Sequence, residues 1–285
     1  LTDHDNKIKN SNYNIASRVL HSSYPKEQIT GSVNVPIYAT STYEQSAPGE
    51  HLGYDYSRSH NPSRFAYEHA IAELESGANG YAFSSGMAAI NTILDLLYNG
   101  AHIVVSDDVY GGTYRLMHHV KRRTHNLKIS WVDFTDLSAI ADAIHDDTAM
   151  LWVETPSNPM LKIVDLSAVA TLANSCGALM VVDNTFATPI LQRPLEYGAD
   201  IVVHSATKYL NGHCDVVNGA VVVGENPELA ERMTFLQNSS GSICSPFDSF
   251  LVLRGMKTLA LRVQQQCTSA LHIAKALSGH PLVER

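Results

Sequence analysis

Cysteine is scarce in this sequence. Cys176, Cys214, Cys244 and Cys267 are its four cysteines among 285 residues, and they form no paired-cysteine motif. That spacing argues against a disulfide framework or a zinc knuckle and leaves reduced thiols. Positive charge is short as well: 20 Lys and Arg stand against 28 Asp and Glu, a formal charge of −8. A surface built to neutralise nucleic-acid phosphates is therefore not expected, and any anion site must be local. No apolar run approaches membrane-spanning length, and the stretch Leu1 to Lys7 has no cationic segment leading into an apolar one. The chain accordingly reads as a cytoplasmic protein without a membrane partner. Three fingerprints are missing too: the glycine-rich turn of nicotinamide dehydrogenases, the phosphate-binding loop of nucleotide hydrolases and the nucleophile elbow of serine hydrolases.

What is present is an ordinary globular composition, 45% hydrophobic and 17% charged, long enough for one large domain or for one domain and the start of another. From about residue 100 to 225, short β-branched apolar runs alternate with stretches of helical spacing, which is an α/β pattern. The runs His102 to Ser106, Ala149 to Glu154, Ala178 to Asp183, Asp200 to Ser205 and Gly219 to Gly224 are the expected strands. Most are too uniformly apolar to have a wet face, so a mostly parallel central sheet with helices on both faces is expected. Helices are expected over Asp165 to Cys176 and Ser85 to Leu97, with a further helical pattern from Phe250 to Gln266. Residues 1–48 are polar and interrupted by proline, and read as an arm. Residues 49–245 read as the α/β domain, and residues 246–285 as the start of a second domain continuing past Arg285.

Three expected strands end in polar clusters: Glu154 to Pro159, Asp183 to Thr185 and Ser205 to Lys208. In open α/β sheets the carboxyl ends of the strands form the ligand crevice, so the clusters should converge there. Lys208, a few residues past an apolar strand, is expected at a buried rim, where desolvation would free its amine for attack on an aldehyde. The alternative is a lysine that covers a loop. Asp183 could pair with a protonated pyridine nitrogen, or simply accept N–H bonds from the next turn. Ser84 to Ala89 opens an amphipathic helix whose first turn suits an anion, or is an ordinary capped start. Ser205 and Thr207 can add hydroxyls to the same anion. Tyr110, on a hinge with Gly111 and Gly112, can stack on a planar ligand or only fill space. His204, His213 and Cys214 flank Lys208 without the spacing of a standard metal site, and no metal is expected.

Ser205-Ala206-Thr207-Lys208-Tyr209 resembles the cofactor-lysine segment of the Cys/Met-metabolism pyridoxal-phosphate enzymes. The similarity continues through Tyr56 to Pro62, Ser84 to Ala89, Val109 to Thr113, Thr155 to Pro159, Val182 to Thr185 and Leu251 to Arg262. The resemblance implies an aspartate-aminotransferase-like (type I) fold and pyridoxal 5′-phosphate as cofactor. It implies that Lys208 carries the cofactor and later removes the substrate α proton, that Asp183 pairs with the pyridine nitrogen and that Tyr110 stacks on the ring. Gly86, Met87, Ser205 and Thr207 would form the phosphate cup, and Asn158 would lie near the ring's 3′ oxygen. Tyr56 and Arg58 would reach a neighbouring subunit's phosphate, so a homotetramer built from two dimers is implied, with the arm wrapping a partner. Within the family, Gly112 stands where methionine γ-lyases carry cysteine. Asp55 matches an acid common in cystathionine γ-lyases and γ-synthases. The implied activity is cystathionine γ-lyase, with γ-synthase and then β-lyase as alternatives and a non-catalytic binding protein as the reading from another class. The arginine that binds the substrate carboxylate in the family would lie beyond Arg285.

Overall fold

The computed structural model describes residues 13–21, 27 and 29–284; the remainder of the expected arm and Arg285 lie outside these described residues. Seven strands make one sheet: β1 (Asn79–Phe83), β2 (His102–Ser106), β3 (Lys128–Val132), β4 (Thr148–Glu154), β5 (Leu179–Asp183), β6 (Ile201–His204) and β7 (Gly219–Val223). Their spatial order is β1-β7-β6-β5-β4-β2-β3. The pairs from β3 to β6 are parallel, whereas β7 runs antiparallel to both β6 and β1. All five expected strands are present to within a residue or two at their ends, and β1 and β3 were not expected.

Alternation along each strand explains why the apolar runs are continuous. Phe83, Val105, Trp152, Val181, Val203 and Val221 face one way and join Ile90 and Ile93 of helix Gly86–Leu94 in one core. Their chain neighbours face the other way. Val202, Ala220 and Val222 pack with Tyr67 and Ile71 of helix Pro62–Leu74 and Val252 of helix Pro246–Met256. Val104, Leu151, Val153 and Val182 pack with Val169 and Ala173 of helix Leu166–Cys176. Both faces of the inner strands are thus covered, and there a polar side chain can meet water only at the strand ends.

The helix starts obey local rules. Asn61, Ser85, Asp165 and Ser245 each accept a backbone N–H of the first turn through the side chain, and Gly177 ends its helix at φ 69°. Helix Gly86–Leu94 ends earlier than the apolar spacing suggests, because Leu96 and Leu97 bond back only three residues, to Ile93 and Leu94. The expected helix Phe250 to Gln266 is two helices, Pro246–Met256 and Leu259–Ser278. At the break the Thr258 hydroxyl donates to Gly255 O, a local bond that competes with the helical ladder. Gly255 itself lies against Asn211, where a Cβ would come within 2.2 Å of Asn211 O. In the N-terminal region, helix Ile15–His21 buries Val19 against the core, whereas most of residues 29–53 is exposed and irregular.

Candidate active site

The three polar clusters do meet at one edge of the sheet. Glu154 and Asp183 are register partners at the last positions of β4 and β5. Asn184 N donates to Val203 O, and Ser205 N donates to the Thr185 hydroxyl at 2.9 Å, which joins the ends of β5 and β6. Helix Gly86–Leu94 starts against this junction: a Cβ on Gly86 would sit 3.0 Å from the Ser205 Cβ. Gly219, the first residue of β7, lies so close to Ser85 that a Cβ would come within 2.2 Å of Ser85 O. Glycine at both places lets backbone approach backbone beside the helix start.

The helix start itself has unspent donors. Ser85 Oγ accepts from Ala88 N and the helical ladder begins with Ala89 N, leaving the Gly86 and Met87 N–H groups without a partner among the described residues. Two free first-turn N–H groups, the helix dipole and the Ser205 side chain can serve together as an anion cradle. Thr207 is less free than expected, because its hydroxyl donates to Asn218 O and accepts Asn218 N. It must turn from Asn218 to donate elsewhere.

Asp183 does one of its two expected jobs and retains capacity for the other. Oδ1 accepts both the Thr185 N–H, at 3.0 Å, and its hydroxyl, at 2.5 Å. Oδ2 has no hydrogen-bond partner among the described residues. Burial raises this carboxyl above the ordinary aspartate range, while the Thr185 bonds and the nearby His204 pull it back. A cation placed at Oδ2 would favour the ionised form.

Lys208 corrects one expectation. It lies four residues past β6, at the sheet edge as expected, but its side chain is exposed and not desolvated. β6 ends at His204, and the chain then leaves the sheet through a turn closed by Lys208 N on Ser205 O, which carries the lysine outward. It lines an open cavity of about 700 Å³ together with Phe186, Thr207, Tyr209, Cys214 and Asp215.

Tyr110 follows β2, with 46% of its surface exposed. Its ring lies over Gly112, where a Cβ would approach Tyr110 Cε1 at 2.4 Å and Met87 Sδ at 2.8 Å. Asn158, half-buried in the loop after β4, has no side-chain hydrogen bond among the described residues. Tyr56 and Arg58 form a pair of their own, with the guanidinium 5.3 Å from the ring centroid and Nη1 donating to Asn238 O at 2.7 Å. The described contacts do not bring this pair to Lys208 or the helix start. Buried Arg64 holds their loop by donating to the carbonyls of Ser57, Arg58 and Ser59.

His204, His213 and Cys214 do not gather. His204 is fully buried with Nε2 2.6 Å from Glu75 Oε1, His213 bonds to Asn211 O, and Cys214 is exposed. Beneath the site, sequence reasoning missed a polar network. Asn184 Nδ2 donates to Glu75 Oε1 and to Gln192 O, and Gln192 Nε2 donates to Thr155 O. No local pattern marks Glu75 or Gln192, since their partners come from distant parts of the chain.

The mostly parallel sheet with its lysine, acid and anion cradle at the carboxyl edge defines a type I pyridoxal-phosphate enzyme fold. Residues 16–285 match the model of the Cys/Met metabolism PLP-dependent enzymes, and the chain belongs to that family. It is 56% identical over 276 residues to a cystathionine β-lyase of Coxiella burnetii, covering 97% of this chain and 71% of that protein. It is 49% identical over 266 residues to a cystathionine γ-lyase of Bacillus subtilis, covering 93% and 70%. Among solved structures, a cystathionine γ-lyase from Lactobacillus plantarum complexed with L-serine superposes with a TM-score of 0.93 at 45% identity, covering 96% of this chain and 71% of that one. A cystathionine γ-synthase from Xanthomonas oryzae pv. oryzae, in complex with aminoacrylate and cysteine, gives 0.90 at 42% identity, covering 96% and 70%. The relatives are thus pyridoxal-phosphate lyases and synthases of cystathionine metabolism, divided among three activities. Among the described residues no helix is long and apolar enough to cross a membrane.

Proposed function

We propose that this protein is a cystathionine γ-lyase, converting cystathionine and water to cysteine, 2-oxobutyrate and ammonia. The observation that carries the site is the convergence at one sheet edge of Lys208, the free Oδ2 of Asp183 and the unpaired N–H groups of Gly86 and Met87. Those groups fit pyridoxal phosphate: an amine for its aldehyde, a buried carboxylate for its ring nitrogen and a helix start for its phosphate. Tyr110 offers an exposed ring face for stacking, Asn158 a free amide for the 3′ oxygen, and Ser205 and Thr207 hydroxyls for the phosphate. Bound there, the cofactor supplies the electron sink that makes an α proton of an amino acid removable. Lys208 Nζ then accepts that proton and returns protons where the γ substituent leaves. The exposure of Lys208 and its cavity leaves room for a substrate beside the amine.

The preference for the γ-lyase and γ-synthase pair over β-lyase rests on Asp55 next to Tyr56. Its carboxyl lies 3.2 Å from His60 Nδ1 and is held below the ordinary aspartate range by that bond and by the Tyr56 N–H. An ionised acid there suits the distal ammonium of cystathionine. In this reading Tyr56 and Arg58 belong to a neighbouring subunit's phosphate site, the exposed N-terminal segment wraps that subunit, residues 246–285 open a second domain, and the active unit is a cytoplasmic tetramer.

The γ-synthase reading is favoured by the Xanthomonas relative, since Asp55 suits a cysteine amine equally well. The β-lyase reading is favoured by 56% identity to the Coxiella protein. Product analysis separates them. Cysteine with 2-oxobutyrate from L-cystathionine is the expected result, homocysteine with pyruvate would replace it by β-lyase, and faster cystathionine formation from an activated homoserine ester plus cysteine would replace it by γ-synthase.

A further inference from the structure

Glu154 lies against three of the segments assigned to the cofactor, although neither the strand-end pattern nor the resemblance gives it a role. It closes β4, is 6% exposed, and its Oε2 accepts the Tyr110 backbone N–H at 2.8 Å. The Asn158 backbone N–H also lies near its carboxyl, and Asp183 is its register partner on β5. Opposite residues of adjacent parallel strands project to the same side, so the two carboxyl groups share a face. Tyr110 opens helix Gly111–Arg115 without a side-chain cap of its own. Its ring therefore has a floor made by Gly112 and Met87, and its backbone has a tether to Glu154.

We propose that Glu154 is a positioning residue of the cofactor site, fixing Tyr110 through its N–H and presenting a neutral carboxyl beside Asp183. This rests on the reading of Tyr110 and Asp183 as cofactor residues. Were both acids ionised, two negative charges would lie side by side in a buried edge, which is costly. One ionised acid facing a ring nitrogen and one protonated acid beside it remove that conflict.

The protonation of Glu154 agrees with this division. Burial first, then Asp183 and then Asp108 raise its carboxyl to about 8, against the pull of the Tyr110 and Asn158 N–H groups. The charged groups facing it are Asp183 on β5 and Asp108 after β2, with His204 on β6 near Asp183. A raised folded-state value means that stability from this group is complete below pH 4.5, its ordinary value, and is lost progressively as pH rises to about 8. Glu154→Gln keeps an acceptor for Tyr110 and removes the titration.

The test measures pyridoxal-phosphate affinity by spectroscopic titration of the protein, and thermal melting without cofactor across pH. Glu154→Ala should bind the cofactor about tenfold more weakly at pH 7, the loss expected when one buried N–H loses its acceptor. Glu154→Gln should stay within about threefold and should melt about 5 °C above the parent at pH 8.5 but not at pH 4.5. Tyr110→Ala combined with Glu154→Ala should lose less affinity than the sum of the two single losses, because the tether has no effect once the ring is gone. Fully additive losses, or parental affinity in a folded Glu154→Ala, would overturn the proposal for Glu154 alone. A melting difference for Glu154→Gln that does not depend on pH would also overturn it. Parental affinity in Tyr110→Ala would instead overturn the reading of Tyr110 beneath it.

Discussion

Two buried histidines stand at opposite edges of the sheet, and they are treated differently. His102 begins β2, with Nδ1 2.8 Å from the Thr148 hydroxyl and Nε2 3.0 Å from the Ser130 hydroxyl, so both nitrogens are used. It stacks on His145, and burial, reinforced by that neighbour, lowers its pKa. These two histidines and Asp147 are close enough to suggest a cation site, yet the His102 nitrogens are occupied and Asp147 is paired with Lys128 at 2.7 Å. His204 ends β6 with Nε2 on Glu75, while His204 Nδ1 and Glu75 Oε2 are buried with no partner among the described residues. His102 is satisfied internally, whereas the His204–Glu75 pair keeps one unpaired polar atom on each partner among the described residues.

Four substitutions would break or sharpen that contrast. The largest effect is expected from Lys208→Ala, which should lower cystathionine turnover at least about 10³-fold, within the range of lost acid–base catalysis, while circular dichroism stays parental. Retained turnover would assign the proton to another residue. Next, Glu75→Ala should cost about 2–4 kcal/mol in denaturant unfolding, since His204 and Asn184 would both lose a buried hydrogen-bond partner. A smaller loss is expected from Gly112→Cys, where the new side chain meets the Tyr110 ring. Displacing that ring should cost about 1–3 kcal/mol of stability or cofactor affinity, and an unchanged protein would mean that the ring moves freely. At the amino edge, Ser130→Ala should cost only about 1 kcal/mol, the worth of one hydrogen bond whose histidine retains another. If Ser130→Ala proved as costly as Glu75→Ala, the contrast between the two edges would collapse.

The central strands were legible because burial on both faces demands unbroken apolar runs such as Leu179 to Val182. β1 was hidden by Asn79 and Gly80, which read as turn residues. Gly80 is needed because helix Pro62–Leu74 passes so close that a Cβ would come within 2.1 Å of Glu68 O. β3 was hidden because it is a half-buried edge strand, with Ile129 and Trp131 alternating with Lys128 and Ser130 over only five residues. At the candidate site, strand-end chemistry placed Asp183 and Lys208 at the carboxyl edge, where the structure has them. The exposure of Lys208 was not legible, because it depends on where the turn after β6 points. Glu75 was equally silent: it acquires its role only by meeting His204, 129 residues away.

The reversed direction of β7 has a consequence for how such a site can change over time. β6 and β7 are antiparallel neighbours, so the chain between them, from Ser205 to Asn218, turns back at the ligand edge and crosses neither sheet face. Residues 212–215 and 217 in this segment are exposed, and most of them line the cavity that holds Lys208. A lineage, or a designer, can therefore rewrite the mouth of the cavity there without repacking the layers beneath it. The scaffold keeps its lysine while its appetite drifts.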